Sequence, residues 1–325
     1  MWLTSRKADN QSYFIGNRQS PWYVVAYGMI GASISGVTFI SVPGAVFTTQ
    51  FSYLQVVAGY VIGYLVIAIV LMPMYYKLNL TSIYTYLEQR FGPVTYKTGS
   101  MFFILSRVIG AGFRMYIVLN VLQTFVFDAW HVPFIVTVSV FIVLILLYTY
   151  EGGVKTIVWT DTLQTTFMLF TVLFCIGYLI KESGNGIGDW LSNASNAGYT
   201  KIFVSEWHSP NFFWKNFLGG MGITVAMTGL DQEMMQKNLS CRNISEARKN
   251  MFTFAAVLVL VNLLFLFLGA VLSMSAPAHG LTFDAAHTDN IFPTMALQFL
   301  GTLPALIFVV GLISAAFPSA DGALT

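Results

Sequence analysis

Long apolar runs separated by short polar joints are the main pattern of this chain. They fall at about residues 22–48, 52–76, 100–127, 132–150, 154–180, 212–234, 251–275 and 302–325. A helix needs roughly 20 predominantly apolar residues to cross the hydrocarbon core of a bilayer, so the pattern predicts eight transmembrane helices. Among the joints, 77–97 reads as amphipathic, with Ile83, Tyr84 and Leu87 set against Glu88 and Arg90. The two long joints, 181–211 and 276–301, each have room for a small surface helix. Asn243 and Glu246 have capping-box spacing, which predicts a fresh helix start after the sixth run.

Two of the apolar runs are interrupted. Residues 29–41 read Met-Ile-Gly-Ala-Ser-Ile-Ser-Gly-Val-Thr-Phe-Ile-Ser at membrane depth. Glycine loses the most backbone freedom in a helix, and serine hydroxyls compete for backbone partners. Unwound backbone at that depth is tolerated only where it lines a cavity or is buried in protein, so the first segment is expected to be a broken helix. The sixth run repeats the feature in two pieces, Gly219–Thr224 and Met227–Gln232. Interrupted first and sixth spans, at equivalent places in successive five-helix units, are what an inverted-repeat transporter shows. The competing explanation is that small residues simply allow close helix packing.

Composition supports the membrane reading. The 325 residues are 56% hydrophobic and 9% charged, with a mean hydropathy of +0.69, against about 25% charged residues in soluble domains. The net charge of +2, with no basic stripe or acidic tail, points to no nucleic acid and no obligate protein partner. The expected surroundings are a lipid bilayer and a small-molecule solute. Arg6, Lys7, Arg18, Lys77, Arg90, Lys97, Lys155, Lys237, Arg242, Arg248 and Lys249 all fall on one side of the eight-span layout. Only the long 181–211 joint, with Lys181, Lys201 and nearby Lys215, sets basic residues on the other. By the positive-inside rule the first residues are cytoplasmic, in a multi-pass cell-membrane protein of bacterial inner-membrane type. Cys175 and Cys241 support neither a disulfide framework nor a metal cluster. His131, His208, His279 and His287 lie in predicted outer loops, so no catalytic constellation sits at membrane depth and no enzyme is expected. The chain shows no signal-peptide pattern; it opens with residues that look like the end of an earlier element and stops inside an apolar run, so a leading helix and a C-terminal part are expected beyond it.

Ionisable residues inside the spans carry the candidate chemistry. Arg107, Gly110 and Arg114 share one helical face. An ionised side chain near the bilayer centre costs at least about 2.5 kcal/mol on insertion scales and usually faces a polar cavity or a partner. A guanidinium suits a carboxylate through two parallel hydrogen bonds; alternatively, Arg107 snorkels to the headgroups. Asp161, in the run Trp159–Gln164, and Asp321, in the run Ser314–Asp321, are buried-carboxylate candidates for a hard cation. The alternative for Asp161 is a pair with Lys155. Asp231, Glu233 and Lys237 read as interfacial ion-pairing groups.

With these residues in view, the chain resembles the sodium:solute symporter family, the group of sodium-galactose, sodium-proline and sodium-sialic acid symporters. The resemblance is carried by Tyr150–Gln164, Asp231–Ala247 and Ser82–Gly92 and extends over essentially the whole chain. It implies an all-α integral membrane fold, a leucine-transporter-type inverted-repeat bundle with an incomplete second repeat. Residues 1–325 would form one transporter domain, with 1–180 the first five-helix repeat and 211–325 the first three helices of the second. It implies Na+ as coupling ion, bound by the carbonyls of Gly31, Ile34 and Ala315 and the hydroxyl of Ser319. Pro318 stands where the family usually has a second hydroxyl. It further implies a second cation or proton site at Asp161, which would here involve Asp321. Solute contacts carry over to Ser35, Thr38, Thr224, Met227 and Thr228 and to one or both of Arg107 and Arg114. The implied activity is sodium-coupled symport of a small polar solute, led by an anionic one such as a sialic acid, sugar acid or other carboxylate. A sodium-coupled sugar or proline-like symporter is the alternative, ahead of a channel or a transport-derived sensor.

Overall fold

The chain is built from helices because its apolar segments leave no backbone group that could be satisfied by water in a bilayer, and a helix satisfies them within one segment. We describe it from a computed structural model covering residues 18–80, 82–149, 153–184 and 186–324, with backbone alone at 148, 149, 153–156, 286 and 319–324. Among the described residues there is no strand beyond an isolated bridge between Ser20 and Cys241.

The elements follow the apolar runs. The first is split into α1 (Trp22–Ser33) and α2 (Gly36–Thr49), bent by 65° at the break. Next come α3 (Tyr53–Lys77), the short amphipathic α4 (Thr85–Phe91) and α5 (Pro93–Trp130). Then α6 (Phe134–Thr149) and α7 (Gly153–Ser183) lead to a small helix, α8 (Ile187–Asn196), inside the first long joint. The sixth run gives α9 (Phe213–Thr224), a π turn over Val225–Gly229 and α10 (Gln232–Leu239). Finally α11 (Ile244–Ser275) and α12 (Thr302–Leu324) flank a joint of short turns. Asn243 caps α11 as its spacing predicts, accepting from the Glu246 backbone N–H at 2.9 Å. That helix starts earlier than its apolar run at 251, because the capped polar turn precedes the apolar part.

Among the described residues, four helices are each long and apolar enough to cross a membrane: Tyr53–Lys77, Pro93–Trp130, Ile157–Ser183 and Ile244–His279. The bent pair α1 and α2, counted as one span, makes a fifth. The packing places α9 against α3, α1 and α12 against α7, and α2 against α11. A ring cluster ties the far side together: Phe39 lies 5.3 Å from Phe292, 5.7 Å from Phe308 and 6.0 Å from Phe265, all fully buried.

The glycines of the sixth run divide between the two explanations. Gly220 faces the Val56 carbonyl of α3 so closely that a Cβ would collide with it, as Gly59 does with Phe217 on α9. Gly219 and Gly222 face open space. The break itself falls later, at Leu230 and Asp231, where the backbone leaves helical angles. Thus the first glycine run serves packing through Gly220, and the second piece, Met227–Gln232, holds the interruption.

Candidate functional site

The bend of the first segment has a simple local cause. The N–H of Ile34 closes the last bond of α1 to the Ile30 carbonyl at 2.7 Å, and the ladder resumes only with Phe39 N–H on the Ser35 carbonyl at 3.0 Å. Ile34 and Ser35 are both extended. The final carbonyls of α1, from Gly31 onward, lack the helical successors that would otherwise use them. Protein surrounds this gap: Ile34 is 2% and Ser35 7% exposed.

A cavity of about 170 Å³ opens beside the break. All seven solute-contact candidates line it: Ser35 from the break and Thr38 from α2, Arg107 and Arg114 from α5, and Thr224, Met227 and Thr228 from the α9 segment. Thr224 Oγ1 is buried without a hydrogen-bond partner, an orphan polar group of the kind a polar ligand satisfies. Sequence reasoning missed Tyr53, Tyr60 and Tyr64, which also line the cavity, together with Asn262 of α11. The tyrosines recur along one face of α3, a stripe that was readable in the sequence; the Tyr53 and Tyr60 hydroxyls lie 3.3 Å apart. Met227, Arg107 and Arg114 also line a second cavity, between α5 and the end of the sixth run.

The two arginines have different surroundings. Arg107 Nε donates to Asp231 Oδ2 at 2.9 Å, its Nη2 pairs with Asp231 Oδ1, and its Nη1 lies 2.8 Å from Glu233 Oε2. It does not snorkel to headgroups. Arg114 makes no ion pair or hydrogen bond among the described residues.

The Arg107 pairs continue into a buried chain of charges. Lys237 Nζ donates to Asp161 Oδ2 at 2.7 Å and lies 3.3 Å from Glu233 Oε1. Asp231, Glu233 and Lys237 are only 9%, 6% and 3% exposed, so they do not sit at the interface as their sequence suggests. The reason is the break: it turns α10 inward, against α1 and α7. Asp161 is fully buried, and its described partner is Lys237; the Lys155 side chain lies outside the described residues. Asp231 also caps α10, accepting from the Met234 N–H at 3.1 Å.

The proposed sodium ligands fall on two neighbouring elements. Gly31 of α1 and the fully buried Ala315 of α12 flank the break, and the α carbon of Gly36 faces the Ala316 backbone. Pro318 lies inside α12, where it removes one ladder bond. The side chains of Ser319 and Asp321 lie outside the described residues.

Comparisons with known proteins place this geometry in a wider context. The family model of the sodium:solute symporter family matches residues 13–321. The sodium/sialic acid symporter NanT of Aliivibrio fischeri is 24% identical over 281 residues, 84% of this chain and 54% of that protein. The human sodium/iodide cotransporter is 26% identical over 89% of this chain and 43% of its own length. Sodium-coupled monocarboxylate transporter 2 of Danio rerio is 27% identical over 92% and 48%. This chain therefore spans about half the length of the curated relatives it matches. A solved substrate-bound, outward-open structure of a Na+-coupled sialic acid symporter superposes with a TM-score of 0.87 at 19% identity, over 99% of this chain and 68% of that one, and so shares its fold.

Proposed function

The chain belongs to the sodium:solute symporter family, and from that premise we propose that it performs sodium-coupled symport of a small anionic solute by alternating access. The observation that carries the choice of an anion is Arg114. It is a guanidinium in the cavity wall that makes no ion pair among the described residues, whereas Arg107 seven residues away is held by two carboxylates. A carboxylate or sugar acid would supply the missing partner through charge-assisted hydrogen bonds. Ser35, Thr38, Thr224, Thr228 and the α3 tyrosines would meet its hydroxyl or carbonyl groups, and Met227 would close the apolar side. The named relatives carry sialic acid, iodide and monocarboxylates, which agrees with an anionic cargo.

Sodium would bind at the gap in the first segment, on the carbonyls of Gly31, Ile34 and Ala315 and the hydroxyl of Ser319. The carbonyl that Pro318 leaves unbonded one turn earlier is a further oxygen for the ion. Sodium bound between α1 and α12 would shift the transporter toward one state only by its difference in affinity for the two. The membrane potential contributes about 2.3 kcal/mol per charge per 100 mV. No bond is made or broken in this cycle. The two breaks also support reading 1–180 as the first inverted repeat and 211–325 as the start of the second, and the distribution of basic residues supports cytoplasmic first residues.

Uptake into proteoliposomes tests the reading. An inward sodium gradient is expected to drive accumulation of a labelled sialic acid or short monocarboxylate, ahead of galactose and proline. If no member of that panel responds to sodium, the proposal is wrong.

A further inference from the structure

Asp161 looks at first like a free cation site. Its carboxylate is fully buried on α7, beside Gly28 of α1, and its Oδ1 has no hydrogen-bond partner. An isolated carboxylate in such a place is too costly to keep ionised without a cation. The cation is nevertheless already present: Lys237 Nζ lies 2.7 Å from Oδ2, brought there by the inward turn of α10.

We propose that Lys237 is a tethered cation that occupies the Asp161 site permanently, so that the protein binds no sodium there and couples one sodium fewer than the carboxylate would otherwise allow. The inference rests on the sodium-symport reading above. Three features carry it. The ammonium is close enough to Oδ2 to take the position of an oxygen-bound cation, whose own distances are about 2.3–2.6 Å in calcium sites. A second positive charge at the same oxygen would face a like charge at contact range in a medium that screens poorly. Glu233 holds the ammonium from the other side at 3.3 Å, so Lys237 is fixed between two helices and is not a mobile surface group.

The consequence is a latent sodium site that a neutral residue at 237 would unmask. Sodium bound per chain is read directly by equilibrium binding of radioactive sodium to the purified full-length protein. Lys237→Met is expected to raise the count by one. Lys237→Arg, which keeps the charge, leaves it at the wild-type value, and Lys237→Met combined with Asp161→Asn returns it there. A folded, monodisperse Lys237→Met protein with the wild-type count overturns the inference. If that variant does not fold, Asp161→Asn alone decides. An unchanged sodium count supports Lys237 as the resident cation, and a count lower by one shows that Asp161 holds sodium in the native protein and overturns it. A wild-type protein that binds no sodium at all would remove the symport reading on which the inference stands, an outcome distinct from both.

Discussion

Arg107 and Arg114 lie two turns apart on one face of α5, and their neighbours separate their roles. Truncating Arg107 would leave Asp231 and Glu233 buried without it, and breaking a buried ion pair by removing one partner typically costs about 3–5 kcal/mol. Arg107→Ala is therefore expected to lower the unfolding temperature in detergent markedly, with or without solute. Arg114→Ala leaves no described carboxylate unpaired. Its expected effect is a loss of solute affinity by about 10- to 100-fold, the equivalent of a charged hydrogen bond of roughly 1.5–3 kcal/mol, at near-native thermal stability; uptake KM and a melting curve separate the two. Arg114→Lys should recover only part of the affinity, because an ammonium lacks the planar fork. The seven solute-contact candidates came from the family resemblance, and all of them line one cavity. The cluster of Asp231, Glu233 and Lys237 was not legible in the sequence. Burial of a charge is set by its partners, and these lie 124 residues away for Arg107 and Asp231 and 76 away for Asp161 and Lys237.

Among the elements, the decisive contact is α1 against α7. Gly31 sits over Thr165 so closely that a Cβ would meet its Oγ1, which is itself fixed on the Asp161 carbonyl at 2.6 Å. The neighbour cannot give way without losing that bond, so a methyl group here should wedge the broken helix off α7. Overpacking of this kind costs about 1–3 kcal/mol. Gly31→Ala is expected to lower thermal stability and weaken the protection that sodium gives against unfolding. Thr165→Ala, which removes the obstructing Oγ1 and the Cγ2 beside it, should restore both. Persistence of the defect in the double variant would show that the glycine serves the backbone and not the contact. The first break could be read from composition because serine and glycine coincide there at membrane depth. The second falls in the later of its two candidate pieces because glycine has two uses: Gly220 answers to close packing, while the chain unwinds at Leu230 and Asp231, the latter a favoured N-cap residue. There the capping bond of Asp231 and its grip on Arg107 fix the turn.

At the scale of the whole molecule, transport requires that the solute cavity exchange its exposure between the two sides while sodium and solute stay bound together. Met227 is placed to report this, since it is 48% exposed and lines both the solute cavity and the second cavity between α5 and the sixth run. The two thiols of this chain, Cys175 and Cys241, are both fully buried and do not interfere. A Met227→Cys protein should therefore react with a charged, membrane-impermeant thiol reagent at a single position, and its labelling rate measures how open the cavity is. A bound solute would occupy the space in front of residue 227, so an accepted carboxylate is expected to slow labelling. The slowing should require sodium and not potassium, because linkage makes sodium and solute raise each other's affinity by the same factor. A carboxylate that slows labelling equally in sodium and potassium would bind without coupling, and transport by this route would then be excluded for that solute. Labelling that sodium alone changes, with no carboxylate able to protect, would instead place the ion at the break and the solute elsewhere, separating the two halves of the proposed cycle in one measurement.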